Sequence, residues 1–350
     1  AVLDVGRSGR YINGPVVKQF AQDLSTYMDG AHVIPCANGT DALQIALMAL
    51  DLKPGDEVIT PTFTYIATVE VIALLQLKPV FVEVDPHTFN IDPAVLEAAI
   101  TPKTKAIMPV HLYGQAADME PIMEVAQRHN LYVVEDTAQG IGAYYTFSDG
   151  RKMRVGTIGD IGTTSFYPSK NLGAYGDGGA IFTRNEVLAD RLQVICNHGA
   201  KRKYYHDDIG VNSRLDAIQA AILGIKLKHL NKYTESRRKA ARTYDALLSD
   251  VPGIQTPKWE DKDSHVFHQY TLKIEAGRAA RDEIRQQLAD RGIHSMIYYP
   301  VSIHLQGGYT QYGYQAGDFP TSEQLTAEVV SLPMHSEMTK EQQTYIVDHL

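Results

Sequence analysis

The sequence predicts an α/β fold: a mixed, mostly parallel sheet in the first two thirds of the chain, followed by a smaller α+β domain. Three observations predict it. Residues 31 to about 185 alternate short apolar runs with amphipathic stretches, the pattern of successive βα units around a sheet. The run Leu131–Glu135 is apolar up to its acidic end, as a strand covered on both faces should be. Beyond residue 214 the texture changes to long helical patterns and then to an alternating strand, which divides the chain into a large domain, 1–229, and a small one, 230–350.

The elements follow in order. Gly39-Thr40-Asp41 opens a helical pattern through Met48, and Glu57–Thr60 reads as a strand. Thr64 to Leu75 is helical, Pro79–Glu83 is a short strand, and Ala94 to Ile100 is helical again. Ala106–Val110 is strand-like, Pro121 to Arg128 is a helix, and Leu131–Glu135 delivers Asp136 to the carboxyl edge of the sheet. Ligands of open α/β sheets sit at that edge, so polar residues there carry functional weight. Leu215 to His229 and Thr234 to Leu248 form two helices that bridge to the second domain. Val251-Pro-Gly253 turns the chain, His268–Ile274 alternates like an antiparallel strand, and Arg281 to Arg291 is helical.

Composition narrows the function. The chain has 350 residues, and 41 acidic against 33 basic side chains give a net charge of −8, a field that repels a polyanion such as nucleic acid. The basic clusters Lys201-Arg-Lys203 and Arg237-Arg-Lys239 read as solvated faces or as anchors for a phosphate-bearing ligand. Only Cys36 and Cys196 are available for a disulfide, which points to a reducing cytoplasm. No apolar run is long enough to span a bilayer, and the start lacks a signal-peptide pattern, so no membrane role is expected. The thirteen histidines are scattered without metal-ligand spacing, and no metal is expected.

The most informative window runs from Thr164 to Ala180, TSFYPSKNLGAYGDGGA, where Lys170 follows Ser165 by five residues and precedes a glycine-dense turn. A lysine held out of water in such a site has a lowered pKa and a neutral amine ready to form a Schiff base. In Val134-Glu-Asp136-Thr-Ala-Gln139 a carboxylate emerges from an apolar strand. A buried carboxylate needs a cationic partner. The protonated ring nitrogen of pyridoxal phosphate is one, although Asp136 read alone would pass for a helix N-cap. Ala37-Asn-Gly39-Thr40-Asp41 is a strand-to-helix turn whose free N–H groups suit a phosphate, and also suit ordinary capping. Tyr65, just past a strand end, is able to stack on a cofactor ring or to pack in the core. No Walker motif and no complete G-x-G-x-x-G is present, which removes support from nucleoside triphosphate and dinucleotide readings.

Together these windows resemble the DegT/DnrJ/EryC1/StrS family of sugar aminotransferases, pyridoxal-phosphate enzymes of fold type I, from Gly9-Arg-Tyr-Ile-Asn-Gly-Pro15 to Ser331-Leu-Pro-Met-His335. The resemblance implies that Lys170 is the Schiff-base lysine and catalytic base, that Asp136 partners the ring nitrogen and that Gln139 contacts the ring hydroxyl. It makes Gly39, Thr40 and Ser165 the phosphate cradle and Tyr65 the stacking aromatic. The segment Gly210-Val-Asn-Ser-Arg-Leu-Asp216 matches a family pattern in which the Asn reaches the phosphate from a neighbouring subunit. Asn212 is then donated across a homodimer interface, with Arg214 near the substrate, although Asn212 by itself resembles a helix cap.

The same likeness implies transamination from glutamate to a ketone on a nucleotide-linked sugar. A dehydratase branch of the family carries histidine in place of the lysine, and Lys170 is intact. The windows Cys36–Ala46 and Gly55–Pro61 look most like enzymes that aminate UDP-2-acetamido-2-deoxy-3-oxo-glucuronate for surface polysaccharide and lipopolysaccharide. Against that, Tyr298-Tyr299 stands where those relatives carry His-Tyr, which leaves dTDP- and GDP-linked 3- or 4-keto deoxy sugars open. Tyr298, Tyr299 and His304 are the further candidates for substrate contact, and Arg214 has the planar fork to pair with a carboxylate or a phosphate. A cofactor-holding regulatory protein without turnover is the competing class.

Overall fold

The computed structural model describes residues 1–259 and 261–350. Twelve strands are described: β1 (His32–Cys36), β2 (Glu57–Pro61), β3 (Lys78–Val82), β4 (Thr104–Ile107), β5 (Tyr132–Asp136), β6 (Tyr144–Thr146), β7 (Lys152–Arg154), β8 (Ile161–Ser165), β9 (Gly179–Thr183), β10 (Ile254–Gln255), β11 (Tyr270–Ile274) and β12 (Val329–Leu332). The described α-helices are α1 (Val2–Ser8), α2 (Pro15–Tyr27), α3 (Gly39–Ala49), α4 (Ala67–Leu74), α5 (Leu96–Ala99), α6 (Met119–His129), α7 (Glu186–Cys196), α8 (Ala217–Leu227), α9 (Leu230–Leu248), α10 (Arg278–Asp290), α11 (Pro320–Glu328) and α12 (Lys340–Val347).

Seven strands form one sheet in the order β1-β9-β8-β5-β4-β2-β3. β9 runs antiparallel to both its neighbours, and the remaining ladders are parallel. Because strand side chains alternate between faces, consecutive residues enter different cores. Val58, Ala106, Val134 and Ile181 pack with Leu43 and Leu47 of α3, Val71 of α4 and Ile195 of α7. Their neighbours Ile59, Ile107 and Val133 pack on the other face with Leu96 of α5 and Ile122 and Ala126 of α6. Phe182, also on that period, meets Phe20 and Leu24 of α2 and Leu223 of α8. Each such Ile, Leu, Val or Phe contributes about 1.5–3 kcal/mol of burial, so both helical layers are needed to hold the sheet.

The second sheet, β10-β11-β12, is antiparallel and has its own core, in which Tyr244 and Leu248 of α9, Leu288 of α10 and Ile346 of α12 cover Tyr270, Leu272 and Val330. α9 joins the two regions as one continuous helix from Leu230, longer than the Thr234 start the sequence predicts. Two other predicted boundaries move for physical reasons. The helix expected from Thr64 begins at Ala67, with Thr64 held ahead of it by a hydrogen-bond contact between its Oγ1 and that of Thr68 at 3.3 Å. The strand expected to reach Val110 ends at Ile107, short of Pro109, which has no N–H to give a ladder.

Among the described residues no helix is long and apolar enough to cross a membrane, and no group of three or more His, Cys, Asp or Glu side chains is placed to hold a metal ion. Cys36 and Cys196 are free and buried, and burial pushes the Cys196 thiol up to about 12.

Candidate active site

The site forms where the parallel strands end. β5 carries Asp136 to its last position, and the strand is extended past β4 by two backbone bonds, Asp136 N–H to Pro109 O at 2.9 Å and His111 N–H to Asp136 O at 3.0 Å. The carboxylate is 5% exposed and is held by two donors: Thr68 Oγ1 to Oδ2 at 2.8 Å and the Ala138 N–H to Oδ1 at 3.1 Å. Together they fix the orientation of the carboxylate.

Glu135 points the other way and braces this edge from behind. It is fully buried and accepts N–H groups of Gly156, Ile158 and Gly159, each at 2.7 Å. His111 Nε2 lies 3.0 Å from the same carboxylate. Because His111 Nδ1 accepts the Ala117 N–H at 3.0 Å, a neutral ring must carry its proton on Nε2 and donate it to Glu135.

Lys170 lies in the turn after β8. Its N–H donates to Tyr167 O at 2.8 Å, and Ala174 N–H donates to Phe166 O at 2.7 Å, closing the turn. The bend brings Gly173 so close that a Cβ there would sit 2.4 Å from Pro168 O, so only glycine fits. Burial pulls the Lys170 amine below its ordinary lysine value, and the charge of Asp136 partly opposes that pull. The two residues that the sequence pairs across a cofactor ring therefore share one electrostatic environment.

The turn at 37–40 supplies a cradle. Asn38 caps α3 by accepting the Asp41 N–H at 2.8 Å, which leaves the Gly39 and Thr40 N–H groups without an intrahelical acceptor. A Cβ at Gly39 would meet Ser165 Cβ at 2.7 Å, so the glycine and the serine close on each other as the walls of one small concavity. Free N–H groups, the positive end of α3 and the Ser165 hydroxyl make a site for a phosphate, and Asp136 with Lys170 makes one for a cationic ring and its aldehyde. These residues fit pyridoxal phosphate.

Gln139, 7% exposed, is oriented from both ends: its Oε1 accepts the Tyr113 N–H at 2.7 Å, and its Nε2 donates to Tyr299 Oη at 3.1 Å. One Nε2 hydrogen remains for a ring oxygen. Tyr65 is 55% exposed with its ring 6.1 Å from that of Tyr299, on the open side of the crevice, and Tyr298 adjoins Tyr299 at 5.8 Å. Burial and the Asp136 charge raise the Tyr299 phenol, so it stays protonated.

Three candidates stand elsewhere. His304 is fully buried, with Nδ1 2.8 Å from Thr62 Oγ1 and Nε2 3.1 Å from Glu323 Oε1. Both ring nitrogens are engaged inside the protein, so His304 as placed is a bracket between the 62–65 loop and α11, not a group open to substrate. Asn212, exposed, and Arg214, half-buried, contact each other, Oδ1 to Nη2, in a loop segment that an isolated bridge joins to Asn197. Between them Ser213 is buried and accepts the Ala37 N–H at 3.0 Å, which fastens this segment beside the phosphate turn. Thr68, Ser213 and the His111–Glu135 pair are site residues the sequence reading missed. Thr68 had a signal, since it stands in the first turn of the helix that follows the threonine-rich strand end at 60–64.

The chain is similar to known proteins over its whole length. The family model described as "DegT/DnrJ/EryC1/StrS aminotransferase family" matches residues 1–350. A "Pleiotropic regulatory protein" of Geobacillus stearothermophilus is 51% identical over 352 residues, covering 100% of this chain and 92% of the relative. The "UDP-2-acetamido-2-deoxy-3-oxo-D-glucuronate aminotransferase" of Pseudomonas aeruginosa is 45% identical, covering 94% of this chain and 88% of the relative. Among solved structures, NtdA of Bacillus subtilis with bound cofactor PMP is 34% identical, with a TM-score of 0.89 over 99% of this chain and 80% of that one.

Proposed function

Because the chain belongs to the DegT/DnrJ/EryC1/StrS aminotransferase family, we propose that it moves an amino group from glutamate to the keto group of a nucleotide-linked sugar. The sugar that fits best is UDP-2-acetamido-2-deoxy-3-oxo-glucuronate, destined for surface polysaccharide, and the 45% identity to an enzyme of that name supports the choice. The chain is a pyridoxal-phosphate-dependent transaminase. The observation that carries this reading is the placement of a half-buried lysine, Lys170, in the field of a buried carboxylate, Asp136, beside a helix-end phosphate cradle.

When bound, pyridoxal phosphate supplies the electron sink that takes up the charge left on a carbon when its proton is removed. The protein does the rest. Gly39 and Thr40 N–H groups and Ser165 would hold the phosphate, and Asp136, oriented by Thr68 and the Ala138 N–H, would face the ring nitrogen and favour its protonated state. Gln139 offers Nε2 to the ring oxygen. With the cofactor bound, Lys170 Nζ would be the base that takes a proton from the donor carbon and gives it up again. Burial pulls its pKa below the ordinary lysine value, which favours the neutral amine that this role needs, and the Asp136 charge partly opposes that pull. For the sugar ketone the same atom acts in reverse. Tyr299, whose oxygen already accepts from Gln139, has its O–H left to donate to substrate, and Asn212 and Arg214 complete the site across a homodimer interface.

Purified protein should absorb as a cofactor-bound lysine enzyme, and borohydride reduction should leave a pyridoxyl mass on the peptide containing Lys170. Glutamate should bleach the band. A panel of UDP-, dTDP- and GDP-linked 3- and 4-keto sugars then assigns the acceptor. A band indifferent to glutamate would instead favour the regulatory reading that the Geobacillus relative's name suggests.

A further inference from the structure

Residues 264–269 form a strap that ties the lysine turn to the small domain. Val266 N–H donates to Gly114 O at 2.9 Å, and Gln269 N–H to Tyr113 O at 3.2 Å. From α9 the guanidinium of Arg237 donates to Phe267 O at 2.9 Å and to His268 O and Met334 O at 3.3 Å. On the other side the strap is gripped by Asn171, the residue after Lys170, whose Nδ2 donates to Val266 O at 3.1 Å. That bond fixes the amide: Oδ1 must face His268, whose Nδ1 lies 3.3 Å away. An amide oxygen only accepts, so His268 Nδ1 carries the proton. A neutral ring then has a bare Nε2, and Nε2 makes no hydrogen bond with any described residue.

We infer that His268 is a positioning residue for Lys170, set by Asn171 in the tautomer that leaves Nε2 free to accept a hydrogen bond from the lysine ammonium. The inference rests on the reading of Lys170 as the reactive amine. Taking a proton turns Lys170 into a cation inside a pocket whose burial opposes charge, and a neutral acceptor offsets that cost without adding a second positive charge. His268 suits the task because it is 6% exposed and is itself kept neutral, by burial first and then by the charges of Lys170 and Arg237. The titratable and charged groups around the pair are Asp136 at the end of β5, Arg237 on α9 and Tyr299 beside Gln139.

The test uses the full-length chain freed of cofactor, with trace acetylation of Lys170 followed by peptide mass spectrometry across a pH series. Relative to the unaltered protein, His268→Phe should lower the labelling midpoint by about one pH unit, roughly a tenfold gain in free amine below the midpoint. His268→Gln should restore it, because a glutamine amide donates to Asn171 and still offers an oxygen. Asn171→Leu should move the midpoint in the same direction as the phenylalanine variant and decides the matter if that variant does not fold. An unchanged midpoint in a folded variant, with only a lowered melting temperature, overturns the inference and leaves a structural strap. Failure of the borohydride adduct at Lys170 would instead count against the proposed function.

Discussion

Two parts of the site are held in different ways. At the sheet edge, Asp136 and Gln139 have their polar atoms bonded within the chain, and Gly39 and Ser165 are pressed together by the backbone. Along 212–214, by contrast, the buried Ser213 is fixed to Ala37, whereas the side chains of the exposed Asn212 and the half-buried Arg214 hydrogen-bond, among the described residues, to each other alone. The first region is preorganised, with the reorganisation a ligand would demand already met during folding. The second presents a backbone anchored against the phosphate turn and side chains still free to change partner, as expected of residues that complete a site on another copy of the chain.

If that contrast is right, the largest losses follow changes at the sheet edge. Lys170→Ala should abolish turnover, with at least about a thousandfold loss in kcat and little change in melting temperature, since it removes the proton carrier but no core contact. Asp136→Asn keeps the shape and the Thr68 neighbour but removes the charge opposite the ring nitrogen. A lost buried charge partner is worth about 3–5 kcal/mol, so kcat should fall by about 10²–10⁴-fold while the protein still takes up cofactor. A modest loss in either variant would mean that the edge is a scaffold and that the chemistry lies elsewhere.

The outward pair is tested by mixing chains. Asn212→Ala should weaken cofactor retention by about tenfold, the worth of one charge-assisted hydrogen bond to phosphate. Refolded together in equal amounts, and assayed at a cofactor concentration too low to fill the Asn212→Ala sites, Lys170→Ala and Asn212→Ala chains should regain roughly a quarter of the intact sites, because half of the pairs are hybrids and each hybrid rebuilds one of two sites. Mixtures as inactive as their parents would place Asn212 in the site of its own chain.

The same contrast explains what was legible in the sequence. Elements whose apolar pattern has a clear period, such as β2, β5, α3 and α6, were read with boundaries off by only a few residues. β8 is not read as a strand because Ile161–Ser165, IGTTS, is rich in glycine and threonine and is buried by its position in the sheet, and β9, GAIFT, is masked by the glycine-dense turn from which it emerges. Lys170, Asp136 and the 37–41 turn stood out because each combines an unusual residue with a strand end. Thr68, Ser213 and His111 act through partners 68, 176 and 24 residues away in sequence, and a linear reading does not see such pairings. His304, a candidate for substrate contact in the sequence, is buried by the fold between Thr62 and Glu323. His304→Ala should therefore cost about 1–3 kcal/mol of stability by leaving buried polar groups unpaired, and raise KM for the sugar only as far as the 62–65 loop loosens. A large KM effect with unchanged melting temperature would return His304 to the substrate.

The smallest expected effect concerns how the edge is coupled to the small domain. His265 is 3% exposed, stacks on Phe267 with ring centroids 3.8 Å apart, and accepts the Phe267 N–H on Nδ1 at 2.9 Å. Burial, with the nearby Arg238 charge, pulls it down to about 3. The unfolded chain binds a proton at this residue below about pH 6.5, where the folded chain does not, so the unfolded state carries more protons and stability must rise with pH across that window. Read downward, the stability His265 contributes is present above pH 6.5 and is lost as pH falls toward 3, by about 2 kcal/mol at pH 5. His265→Asn, whose side-chain oxygen can accept the same N–H, should flatten that part of the urea-unfolding profile while leaving stability at pH 8 within about 1 kcal/mol. An acid slope equally steep in the variant would mean that the strap does not sense this proton, and that the loss of stability in acid belongs to the carboxylates of the sheet edge.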